Sequence, residues 1–197
     1  MQHNDGDASV LKGLVAGLAG GLVASWTMNQ FQAAWTRAAE GFEKPHGAQS
    51  MQPTEGPNPD DEILDLSHTQ SQSNERKENQ DDATVETAKV ISNVFGHELK
   101  ESEKKPAGAA VHYAFGTVTG GMYGAMAELA PQVTAGTGVP FGAAFWLVAD
   151  EVAVPALGLA KGPAAYPLST HVYSLASHLV YGATAELTRR CVRRYVL

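Results

Sequence analysis

Four stretches almost free of charge, punctuated by prolines, leave this chain few folds to choose from. They run from about Leu11 to Trp35, Ala107 to Ala130, Val139 to Leu159 and Leu168 to Leu187, with Pro131, Pro140, Pro155, Pro163 and Pro167 among them. A helix that crosses a bilayer needs about 20 largely apolar residues. The first stretch is the most marginal, since its apolar heart is Gly13 to Met28 and it turns mixed at Asn29, Gln30 and Gln32. A cleaved signal peptide would want a basic start, and Asp5 and Asp7 against Lys12 argue otherwise. A soluble bundle would carry charged residues at regular spacing along one face of each helix, and these segments do not. The expectation is therefore all-α: a single polytopic membrane domain over 1–197. Its four transmembrane helices form two antiparallel hairpins, because the connections among the last three are short.

Charge is confined to one region. Residues 37–105 hold fifteen acidic and eight basic side chains, while the rest of the chain holds six of each. The mean hydropathy of −0.18 thus averages an acidic segment with apolar ones. Residues 37–106 read as an acidic loop insertion. Pro45, Pro53, Pro57 and Pro59 and the polar run Ser67 to Asp82 could bury little, which points to an irregular segment over residues 37–82. Over about 82–100, Asp82 as N-cap, Glu86 early, and Val85, Ala88, Ile91, Val94, Phe95 and Leu99 at helical spacing predict an amphipathic helix. It would lie on the bilayer surface, cap the bundle or stand solvated. Pro106 marks the next boundary.

The single cysteine, Cys191, excludes an intramolecular disulfide. The only basic cluster, Arg189, Arg190, Arg193 and Arg194, follows an apolar helix, as membrane-flanking residues do. Nothing suggests nucleic-acid binding. By the positive-inside rule both termini are cytoplasmic and the acidic loop is outside.

Two glycine series stand on separate apolar segments: Gly13, Gly17 and Gly21, continued by Ser25, and Gly116, Gly120 and Gly124. Gly138 and Gly142 make a shorter one. In lipid, small residues four apart let helix backbones approach closely and dispersion holds them. The partner is either in the same chain or in another, so the bilayer and a second membrane protein (or a second copy) are the expected partners. The run Tyr123 to Leu129 repeats in Tyr181 to Leu187 with six identities in seven, and His112 and His171 lie upstream of each. A fainter match links the regions of Trp26 and Trp146. Two hairpins of one orientation would form a parallel repeat; shared use of small membrane-helix residues would give a similar echo.

Ionisable residues at membrane depth face a bundle interior, pair or stay protonated. Asp150 and Glu151 lie inside the third segment, Glu128 and Glu186 end the second and fourth, and His112, His171 and His178 lie in or near helices. Adjacent residues on a regular helix point about 100° apart, so Asp150 and Glu151 should not both face one partner. His171 and His178, seven apart, share a face. The expected cluster joins Asp150 or Glu151 to His171 or His178. The Glu-x-x-His pairs of di-iron bundles are missing from the apolar helices, and no Ser-His-Asp order, Walker loop or dinucleotide motif occurs. No metal, cofactor or catalytic residue is expected, and the chain does not read as an enzyme.

Three runs carry a family resemblance: Ala127-Glu128-Leu129-Ala130-Pro131-Gln132-Val133, the Pro155-x-x-Gly158-Leu159 step, and Ser177-His178-Leu179-Val180 leading to Glu186-Leu187-x-Arg189-Arg190. In these the chain resembles the YagU-like family of bacterial inner-membrane proteins, a domain of unknown function. The resemblance covers the second to fourth helices and more weakly the first; the acidic loop departs from it. It implies the bacterial inner (cytoplasmic) membrane and supplies no reaction. The functional expectation is an accessory or scaffold subunit that packs through its glycine faces. The competing one is a small channel, a proton-linked transporter or a pH-responsive protein using the carboxylates and histidines.

Overall fold

The computed structural model describes residues 3–43 and 83–197, which are helical without a strand. Helix α1 is His3–Glu43, α2 Ala83–Val94, α3 Glu101–Leu129, α4 Val139–Trp146 and α5 Leu168–Tyr195. Helix α4 runs on through a π-helical segment, Leu147–Ala153, into a short turn, Val154–Ala156. Two segments, Ala8–Ala38 and Pro131–Ala156, are long and apolar enough to cross a membrane. Helices α3 and α5 have the length, with 29 and 28 residues, but the same measure does not single them out. Polar side chains such as His112, Thr117, Thr119, Ser174, Ser177 and His178 interrupt them.

Several boundaries differ from those read in the sequence. Helix α1 continues through residues 37–43, and most of the expected irregular segment, with the Asp82 cap, lies outside the described residues. Helix α2 stops at Val94, because Gly96 takes a left-handed conformation at φ 73° that breaks the helical path. Pro106 falls inside α3 rather than at its start. The helix begins a turn earlier because the Glu103 carboxylate accepts a 2.8 Å hydrogen bond from the Lys100 backbone N–H, satisfying a donor that a helix start leaves orphaned. Pro155 lacks the N–H that would bond the Glu151 carbonyl in a regular helix, and the widened π turn lies directly before it.

Helix α1 packs between α3 and α5, and α4 packs on α5. A methyl group at Gly17 would collide with the Gly120 carbonyl and the Gly124 backbone, and one at Gly13 with the Gly124 carbonyl. Farther along, Asn29 Nδ2 donates to the Tyr113 hydroxyl at 3.2 Å, so α1 and α3 are antiparallel. The second pair repeats the scheme. Gly138 and Gly142 abut Gly182, while Asp150 and Glu151 meet the start of α5. Both glycine series therefore meet glycine-lined backbone within the same chain, where the missing side chains let dispersion act between main chains.

Gly13 and Gly17 stand to Gly124 as Gly138 and Gly142 stand to Gly182. The two hairpins thus share one register, and it pairs Gly21, not Trp26, with Trp146. Between them lies an aromatic column. Phe145 stands 5.8 Å from Phe115, 5.5 Å from Tyr181 and 5.3 Å from His178, ring to ring. Phe141 stacks on Tyr123 at 4.2 Å. With Ala24, Met28 and Ala185, the rings of Tyr181, Phe141 and Phe145 form the apolar centre.

Candidate functional site: a polar cavity and an arginine–glutamate end

The titratable residues singled out in the sequence do not form one cluster. All but His112 divide between the two ends of the bundle, with the aromatic column between. At one end a cavity of about 650 Å³ opens between α2, the π segment, the 158–166 loop and the start of α5. Glu86, Asp150, Glu151, Lys161, Tyr166, His171 and Ser174 supply its polar lining, and Val154, Leu159 and Pro163 part of its apolar wall.

Both carboxylates of the π segment face α5. Glu151 Oε1 lies 2.6 Å from His171 Nδ1, and Asp150 accepts a short hydrogen bond from the Ser174 hydroxyl. His178, one turn deeper, has Nδ1 3.0 Å from the Ser174 carbonyl and 3.7 Å from Asp150 Oδ2. The expectation that only one of the adjacent acids could serve assumed a regular helix. A π turn carries more residues, so neighbours diverge less. π segments recur at functional sites.

The other nitrogen of His171, Nε2, lies 3.1 Å from the Pro163 carbonyl. Both ring nitrogens thus face oxygens, and a carbonyl and an ionised carboxylate only accept. The two contacts coexist when the Glu151–His171 pair holds one proton more than a neutral imidazole and a carboxylate would. In that state the His171 ring ties the π segment, α5 and the Pro163 loop together. Among the described residues no group of three His, Cys, Asp or Glu side chains is arranged to hold a metal ion.

At the opposite end Glu186 is fully buried. Its carboxylate accepts from Arg189 Nε at 2.7 Å, Arg189 Nη2 at 3.0 Å, Arg190 Nε at 2.5 Å and the Tyr123 hydroxyl at 2.9 Å. Glu128 accepts from Arg193 at 2.8 and 3.1 Å and from the Ser9 hydroxyl at 2.7 Å. The Glu128 carboxylate pushes the Arg193 guanidinium up from its ordinary value through that hydrogen bond. These carboxylates are spent on holding α1, α3 and α5 together. Sequence reading set them among the ionisable residues at membrane depth without a partner; the i, i+3 and i, i+4 spacing of Glu186 to Arg189 and Arg190 was the available signal. His112 joins neither end; its Nε2 lies 3.5 Å from the Ser25 carbonyl.

These features define, over the described residues, a helical protein without strands, with apolar helices compatible with a membrane protein and a polar cavity at one end. The family profile described as "Protein of unknown function (DUF1440)" matches residues 88–187, and the chain belongs to that family. The match takes in Asp150, Glu151, His171 and Ser174 of the cavity but not Glu86, includes Glu186, and stops short of the arginines. No curated protein and no solved structure matches the chain.

Proposed function

We propose that this chain crosses a bacterial inner membrane four times, as α1, α3, the α4–π unit and α5, and acts as a proton-responsive membrane protein through its polar cavity. The YagU-like resemblance and the arginines following α5 support that location and cytoplasmic termini, with the acidic loop outside. The carrying observation is that both ring nitrogens of His171 face oxygens, one of Glu151 in the π segment and one of the Pro163 loop, an arrangement that an extra proton on the Glu151–His171 pair would complete. Histidine is the side chain whose charge ordinarily changes between about pH 5 and 8, so this junction answers to pH in a way an apolar contact does not. The aromatic column between cavity and arginine end favours a responsive or gated element over an open channel.

The scaffold reading assigned the glycine faces to a partner. Those faces are taken up inside the chain, which removes its main support and leaves the bilayer as the partner. No reaction and no cofactor are proposed.

Loss of the proton removes one donor from His171 and releases either the Glu151 or the Pro163 contact. Amide exchange in residues 158–167 of protein in lipid nanodiscs is therefore expected to be slow at low pH and to speed up as pH rises through the histidine titration. In His171→Gln the profile should lose that step. Exchange in this loop that follows only the intrinsic pH dependence of amides in the wild type would refute the proposal.

A further inference from the structure

Among the described residues, charge at the arginine end does not balance. Arg189, Arg190, Arg193 and Arg194 line a shallow concavity of about 360 Å³. The carboxylates that reach them among the described residues are Glu128 and Glu186. Glu186 already accepts four hydrogen bonds, which fills the lone-pair sites of a carboxylate, and Glu128 accepts three. Four guanidiniums against these two carboxylates leave an excess of two positive charges among the described residues.

The excess sits mainly on Arg190 and Arg194. They are four residues apart on one exposed helix face, an arrangement that is repulsive for like charges. Arg190 gives its Nε to Glu186 and its Nη2 to the Thr134 carbonyl at a loose 3.3 Å. Arg194 has its guanidinium 5.4 Å from the Tyr195 ring centre and no hydrogen-bond acceptor among the described residues. A ligand with two or more anionic oxygens would bridge the two and offset their repulsion. The planar fork of arginine fits phosphate with paired hydrogen bonds.

We infer that Arg190 and Arg194 bind the phosphate of an anionic glycerophospholipid. A lipid is favoured over a free anion because, in the four-span reading, α5 leaves the apolar layer at Leu187 and these arginines follow within two turns, at headgroup depth. The concavity is also open rather than enclosing, which suits a ligand held in place by its acyl chains.

Native mass spectrometry of the full chain in mild detergent tests this with phosphatidylglycerol and phosphatidylethanolamine at equal concentration. The wild type should retain phosphatidylglycerol about tenfold or more over phosphatidylethanolamine, in line with the contribution of two surface arginines. Arg190→Gln/Arg194→Gln should bring the ratio near one, with a fall in thermal midpoint from the lost Arg190–Glu186 bond. Should the double variant fail to fold, Arg194→Gln alone, which breaks no pair with Glu186, should still lower the ratio several-fold. Equal retention of the two lipids by the wild type, or a ratio unmoved by Arg194→Gln, would overturn the inference. Displacement of the lipid by millimolar inorganic phosphate would overturn the lipid assignment in favour of a free-anion site. Neither result bears on the pH response of the cavity at the far end.

Discussion

Glu186 has no exposed surface and is bound by two arginines and a tyrosine. A buried ion pair is weak evidence for stability as a whole, yet removing one partner strands the other's charge and costs about 3–5 kcal/mol. Glu186→Ala leaves the buried Arg189 with only the more distant Glu128, whose Oε1 lies 3.6 Å away. The variant should lose about that much, read as a large fall in unfolding midpoint in detergent. Glu128→Ala should lose less, since Arg193 is more open to solvent than Arg189. Equal losses would mean that burial of Glu186 has been misjudged. The sequence displayed the i, i+3 and i, i+4 spacing around Glu186, but nothing in it pairs Glu128 with Arg193 across 65 positions. That contact exists only because α3 and α5 run parallel to each other, both antiparallel to the α1 between them, and end at the same end of the bundle.

The two hairpins differ in what their shared register carries. Where the first sets Ser25 over Gly116, the second sets Asp150 against Ser174. The backbone scheme is common to both, and the polar chemistry belongs to the second. Close approach is then the condition for each hairpin. Gly17→Leu would drive a side chain into the Gly120 carbonyl, with no flexible neighbour to give way. Gly17→Leu should part α1 from α3 and abolish an engineered cysteine cross-link between positions 29 and 113 in a Cys191→Ser background. Gly142→Ala should disturb α4 and α5 and leave that cross-link intact. Loss of the cross-link in both variants, or in neither, would contradict the assignment of the two glycine sets to separate hairpins. Four-residue spacing made these faces readable in advance. The π turn was not readable, since a regular helix and a π turn carry the same apolar pattern, and Pro155 was the only hint. Without that turn Asp150 and Glu151 could not both have been assigned to α5.

The bundle as assembled brings α1's start and α5's end together, with Ser9 bonded to Arg193 at 3.2 Å, and sends Lys161 and the cavity to the opposite end. The apolar stretches told of this arrangement in outline, because connections of a few residues leave neighbouring helices little choice but to reverse. They did not tell that α1 would stand between α3 and α5, which depends on side-chain fit. If lipid surrounds the bundle, the two ends lie on opposite faces of a membrane. The chain's single cysteine makes this measurable, since Cys191 is exposed at the arginine end. Intact spheroplasts would be treated with a membrane-impermeant maleimide, comparing the wild type with Lys161→Cys in a Cys191→Ser background. The account predicts that position 161 is labelled in intact spheroplasts and that Cys191 is labelled only once the membrane is opened. Labelling of both positions from the same face, or recovery of the chain in the soluble fraction, would contradict it.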